Sequence, residues 1–157
     1  MAAAFLGADV DLSSANAADA EILDIVDHQL SLLGIYLDTT AEETERFADA
    51  RYPELDFEVV VNPTVDQMKG FVAAGQPVIV PAAGKQLGNP FFSGEGPLYH
   101  MLVVRGYTST GFITNDPGTR RGEQFVYPYS TIMSAMGDWN GGDPANGAKV
   151  VITASKR

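Results

Sequence analysis

His28 and His100 are the only two imidazoles in the chain, so proton transfer near neutral pH through a histidine must use one of them. His28 stands among Asp24, Asp27 and Gln29 in an acidic helical stretch and is expected on the solvated surface. His100 opens the apolar run Tyr99 to Tyr107, directly after a glycine-rich segment. From there an imidazole can face a cleft while the strand behind holds it rigid. A second run, Phe112 to Asn115, follows across Thr108-Ser109-Thr110-Gly111, a short turn ending in Gly, which predicts an antiparallel hairpin. Folding one strand back on the other brings Asn115 and Asp116 alongside His100. A carboxylate accepting from one imidazole nitrogen fixes the tautomer and stabilises the cation formed when the other nitrogen takes a proton. Asn115-Asp116-Pro117-Gly118 also has the composition of a tight turn, and the two roles are compatible.

Other reactive residues are less well placed. Gly118-Thr119-Arg120-Arg121-Gly122 could hold an anion, but lacks the spacing of a phosphate loop and reads as a solvated loop. Asp138 and Asp143 flank Gly141-Gly142 without the alternating ligand register of a calcium loop, so no metal and no cofactor are assigned. Ser93 lies near His100 in sequence, yet in a glycine loop with no strand-turn-helix elbow around it. There is no cysteine, which excludes disulfides, thiolate metal sites and a cysteine nucleophile within these residues.

The elements that must carry His100 and Asp116 are legible from periodicity and punctuation. Met1 to Leu6 reads as the end of an apolar helix closed by Gly7. Ser14 to Leu33 repeats apolar residues at spacings of three and four, which predicts a helix with one buried face ending at Gly34. Thr40-Ala41-Glu42-Glu43 has capping-box spacing and opens a polar, peripheral helix to about Tyr52. Phe57 to Val61 reads as a strand, Thr64 to Ala74 as a capped helix closed by Gly75, and Val78 to Val80 as a strand buried on both faces. Ala83 to Pro97, with the exposed-looking pair Phe91-Phe92, reads as a functional surface loop. Phe125 to Tyr127 and Lys149 to Thr153 are further strands, and Ser130 to Trp139 predicts a helix packed on the sheet. Helices that precede an antiparallel sheet give the α+β class, and 157 residues, about 45% of them apolar, suit one domain over residues 1–157.

Twenty acidic against ten basic residues give a net charge of −10, a surface that repels phosphate backbones and anionic lipid. Nucleic acid is therefore not an expected partner. No apolar stretch reaches the roughly 20 residues that a membrane-spanning helix needs, so no membrane insertion is expected of this chain.

The run Gly96-Pro97-Leu98-Tyr99-His100-Met101-Leu102-Val103-Val104-Arg105-Gly106-Tyr107, followed by Phe112-Ile113-Thr114-Asn115-Asp116-Pro117-Gly118-Thr119, resembles the bacteriocin-leader-peptidase-like cysteine peptidases, family thirty-nine of the cysteine class. The likeness is most specific from Gly75 to Trp139 and looser over Asp19 to Tyr52. It implies the papain-like fold, in which a helix-borne cysteine faces a histidine and an aspartate on adjoining strands; His100 and Asp116 are the matching positions. It further implies hydrolysis of a leader or cell-envelope peptide in a bacterium, with a peptide or protein as partner, an extracytoplasmic or cell-envelope location left open, and Asn89, Phe91 and Tyr99 as substrate contacts. The family's cysteine precedes an apolar helical stretch, and here that stretch is Met1 to Leu6. Met1 is accordingly read as an internal methionine of a truncated nucleophile helix, within about two turns of the missing cysteine, and the chain as it stands is expected to be inactive. The competing expectation is a non-catalytic module that binds a peptide in the same cleft.

Overall fold

The computed structural model describes all 157 residues. Six strands form one antiparallel sheet: β1 (Leu55–Val61), β2 (Val78–Ala83), β3 (Tyr99–Tyr107), β4 (Gly111–Asn115), β5 (Phe125–Pro128) and β6 (Val150–Lys156), in the spatial order β1-β6-β2-β3-β4-β5. The helices are α1 (Ala2–Leu6), α2 (Ala15–Leu33), α3 (Ala41–Arg51), α4 (Val65–Ala73), the short α5 (Gly84–Leu87) and α6 (Tyr129–Ala135). The expected α+β class and the helix-on-antiparallel-sheet architecture are what the chain adopts.

Strand alternation divides the core in two. One face of the sheet presents Val78, Val80, Ala82, Leu102, Val104, Phe112, Tyr127 and Val151 to Met68 of α4, Leu87 of α5 and Ile132 and Ala135 of α6. The other presents Leu55, Phe57, Val150, Ile152 and Ala154 to α1 and to Ala41, Ala48 and Tyr52 at α3. The helix caps are those the sequence announces: Thr40 with Glu43 and Thr64 with Gln67 form complete capping boxes, and Gly7 and Gly34 close α1 and α2 in the left-handed conformation.

Three expectations are corrected. The apolar spacing of α2 does not become a buried face, since none of its residues is buried, and Leu23 is 65% exposed. The helix that does cover the sheet on that side, with α1, is α3, expected to be peripheral; its two buried alanines, Ala41 and Ala48, let it sit close against β1 and β6. The helix expected to reach Trp139 stops at Ala135, because Met136 turns extended and forms a bridge with Ala82 while Gly137 N donates to Pro81 O. Trp139 then packs on Tyr99, ring centroids 5.4 Å apart, instead of entering the core.

Candidate active site

The hairpin of β3 and β4 is in register at Tyr107 with Phe112 and, past a bulge between Val104 and Gly106, at Val103 with Asn115. Asp116 therefore leaves the ladder one residue beyond Asn115, opposite Leu102 and two residues from His100 on the opposing strand. His100 lies on the same sheet face as Leu102 and Val104, its backbone paired with Ala82 of β2. The small side chain of Ala82 and the bare Gly84 beyond it leave room for the segment Gly88 to Leu98 to cross the strand ends; a Cβ on Gly84 would lie 2.5 Å from Pro97 O.

His100 Nε2 lies 2.7 Å from Asp116 Oδ1, with the His100 side chain 9% exposed and the carboxylate fully covered. An ionised carboxylate only accepts, so Nε2 carries the hydrogen, and in the neutral ring the lone pair is left on Nδ1. Nδ1 forms no hydrogen bond in the structure and is not among the buried atoms left without a partner, so it is open at the surface of the site. Phe92 holds the ring from the side, edge-to-face at 5.5 Å.

The carboxylate is itself held on every side. Oδ1 also accepts from Gly118 N at 2.9 Å, and Oδ2 accepts from the Tyr127 hydroxyl at 2.6 Å and, more weakly, from Asn89 Nδ2 at 3.4 Å. Asn89 Nδ2 reaches the Tyr127 oxygen at 2.6 Å, which leaves that hydroxyl's own hydrogen for Asp116. Burial alone would raise the Asp116 carboxyl; the hydrogen bonds from His100, Tyr127 and Gly118 N outweigh it and hold the group below the ordinary carboxylate range. The same contact acts in the opposite sense on Tyr127, which burial and the adjacent carboxylate push far above the usual phenol range.

Of the five residues singled out from the sequence, the fold brings His100, Asp116 and Asn89 together and sends the other two elsewhere. Asn89 is 6% exposed, and with Oδ1 accepting from Phe91 N it has no polar atom left for a substrate; it braces Asp116 and Tyr127 instead. Tyr99, one residue from His100, points to the other face of the sheet, where its hydroxyl donates to Thr39 O at 2.9 Å. Phe91 is half-exposed beside the Thr119 to Arg121 loop, its ring edge-on to Phe125. Ser93 is exposed in the Gly88 to Leu98 segment and forms no hydrogen bond with His100, whose side chain bonds to Asp116 alone. Sequence reasoning missed Tyr127 and Phe92. Alternation along β5 could have put Tyr127 on the face of Phe112, but its reach to Asp116 depends on a register that no turn in the sequence specifies. His28 also departs from expectation: its ring tilts against Phe47 of α3 at 5.5 Å, and Nε2 is buried without a partner.

Helices on both faces of an antiparallel sheet, with a buried carboxylate bonded to a histidine at the end of adjoining strands, make up an α+β domain that the family match below identifies as peptidase-like. The chain belongs to the Peptidase C39 like family, whose model matches residues 24–141. Among solved structures it is similar to that of a protein of Bacillus anthracis described as a C39-like peptidase, with a TM-score of 0.55 and 16% identity over 76% of this chain. The chain spans 60% of that relative's length, and at this identity the likeness is one of fold. No curated protein matches the sequence.

Proposed function

We propose that His100 and Asp116 are the base and the orienting acid of a cysteine-peptidase site that acts on a thiol these 157 residues do not contain. The observation that carries the reading is the 2.7 Å bond between His100 Nε2 and Asp116 Oδ1, which leaves Nδ1 unbonded and open. In this mechanism Nδ1 takes the thiol proton, the thiolate attacks a peptide carbonyl, and the imidazolium then gives that proton to the leaving amine. Asp116, held ionised by its donors, keeps the ring in the required tautomer throughout. Water then hydrolyses the acyl-enzyme, with the same nitrogen as base. The peptide runs past Phe91 and the loop that follows Asp116; its sequence is set by contacts outside the pair.

On this reading the thiol lies outside these 157 residues. The test is cleavage of a quenched fluorescent peptide library by the product of the whole reading frame, compared with its His100→Ala variant. Loss of roughly a thousandfold or more in rate is expected. An in-frame stop immediately before the Met1 codon, or full activity in the variant, would overturn the proposal.

The lack of any cysteine in the chain favours a second reading, a module that binds an extended peptide in the same cleft without cleaving it. It differs from the first in one outcome: the product of the whole reading frame would bind peptides and leave every one intact.

A further inference from the structure

The loop that supplies Asp116 also builds an open cleft of about 620 Å³ between Pro90 and Phe91 on one side and Thr119, Arg120 and Arg121 on the other. On a chain of net charge −10 this is a local concentration of positive charge. Arg120 and Arg121, like Arg46, Arg105, Lys149 and Lys156, pair with no carboxylate, and Glu123, their near neighbour in sequence, bonds to neither. The Arg121 guanidinium lies 4.9 Å over the Phe91 ring, which in turn stands edge-on to Phe125 at 6.1 Å. Stacking holds the planar group while its N–H edges stay free, the arrangement that suits a carboxylate.

The loop is also tied down, so the arginines are not on a free strand of chain. Asp116 N donates to Gly122 O at 2.9 Å, Arg121 N to Thr119 Oγ1 at 3.2 Å and Gly122 N to Thr119 O at 3.3 Å. Gly118 rests against the imidazole, for a Cβ there would lie 2.8 Å from His100 Cε1. Arg120 follows Gly118 by two residues, so their backbones are at most about 7 Å apart, the span of a fully extended chain.

We infer that the cleft between Phe91 and Arg120-Arg121 is a subsite for an acidic side chain of the bound peptide, a Glu or Asp about two or three residues from the peptide bond that faces His100. The inference rests on the reading of the His100 cleft as a peptide site and specifies the substrate class. Phe91 contributes the stacking surface that positions Arg121, and Thr119 the turn that presents it.

The test is a titration of the isotopically labelled chain, followed by NMR, with capped decapeptides of Gly, Ser and Ala in which one Glu is moved through every position. Gln counterparts, inorganic phosphate alone and an Arg120→Gln/Arg121→Gln variant complete the set. The expected result is that peptides of both kinds shift His100 and Phe91. The best Glu peptide should bind about tenfold more tightly than its Gln counterpart and move the Arg120 and Arg121 side-chain signals, with the advantage lost in the variant and reduced by salt. Equal affinity of Glu and Gln peptides, both still shifting His100, would overturn the acidic subsite and leave the peptide reading standing. Phosphate binding as tight as the best peptide would overturn it in favour of a free-anion site. No shift at His100 with any peptide would overturn the peptide reading itself.

Discussion

Asp116 is a buried carboxylate in a sheet end, and such a group is tolerated only when its oxygens are supplied with donors. Here Gly118 N, Tyr127 and Asn89 provide them, and their combined effect is to make the carboxylate a fixed anion that orients His100. Tyr127→Phe leaves Oδ2 with only the 3.4 Å contact from Asn89, and takes from the Asn89 amide its 2.6 Å acceptor. The expected cost is about 1–3 kcal/mol in urea unfolding. Full stability in that variant would show that the hydroxyl is not needed. The depressed Asp116 value also fixes a pH dependence. Its folded-state pKa lies below the ordinary 3.8, so its stabilisation is complete above that value and is lost as pH falls through the lower, folded one. Asp116→Asn removes this contribution, so the stability gap between wild type and variant should narrow on acidification from about pH 6 to about pH 3. A gap that widens would contradict the sign. The contact between His100 and Asp116 was legible in the sequence because a hairpin brings the two residues together locally. Tyr127 and Asn89 were not, because they reach Asp116 from another strand and from a crossing loop.

At the scale of elements, the segment Asp116 to Gly122 joins the Asp116 carboxylate to the arginine cleft, and two glycines make it possible. A Cβ on Gly122 would fall 1.7 Å from Asp116 O, and one on Gly118 would meet His100 Cε1, Phe92 and Asp116 Oδ1 at once. Gly118→Ala is expected to push the ring or the loop aside and break the 2.7 Å bond, read as loss of the His100 Nε2–H proton signal, with the sheet otherwise intact. Retention of that signal would mean the loop yields without moving the ring. The caps, the strands and the hairpin were legible because each is specified by residues a few positions apart. The order of helices on the sheet was not. The amphipathic spacing of α2 promises burial, yet Ala41 and Ala48 make α3 the closer-packing helix, and α2 is left on its outside.

For the molecule as a whole, stability should reside in the two clusters that sandwich the sheet and not in the apolar residues of α2. Leu102 is fully buried beneath His100's own strand, and Leu102→Ala is expected to cost about 2–5 kcal/mol. Leu23→Ala, at a side chain 65% exposed, should change stability by less than about 0.5 kcal/mol. Comparable losses in chemical unfolding would place α2 within the core after all. The family and the α+β class were legible over the strand-rich half because the motif around His100 and Asp116 is a continuous stretch of sequence. Membership of the Peptidase C39 like family supplies the fold; the state of His100 decides whether that fold carries a working base. The most direct test is the nitrogen-15 spectrum of the labelled histidines at about pH 8.5, where an ordinary imidazole is neutral. The expected result is a His100 ring protonated at Nε2, with its proton shifted downfield by Asp116 and with Nδ1 bare. A ring protonated at Nδ1, or an Nε2 signal unchanged in Asp116→Asn, would contradict the pairing on which the proposed chemistry depends.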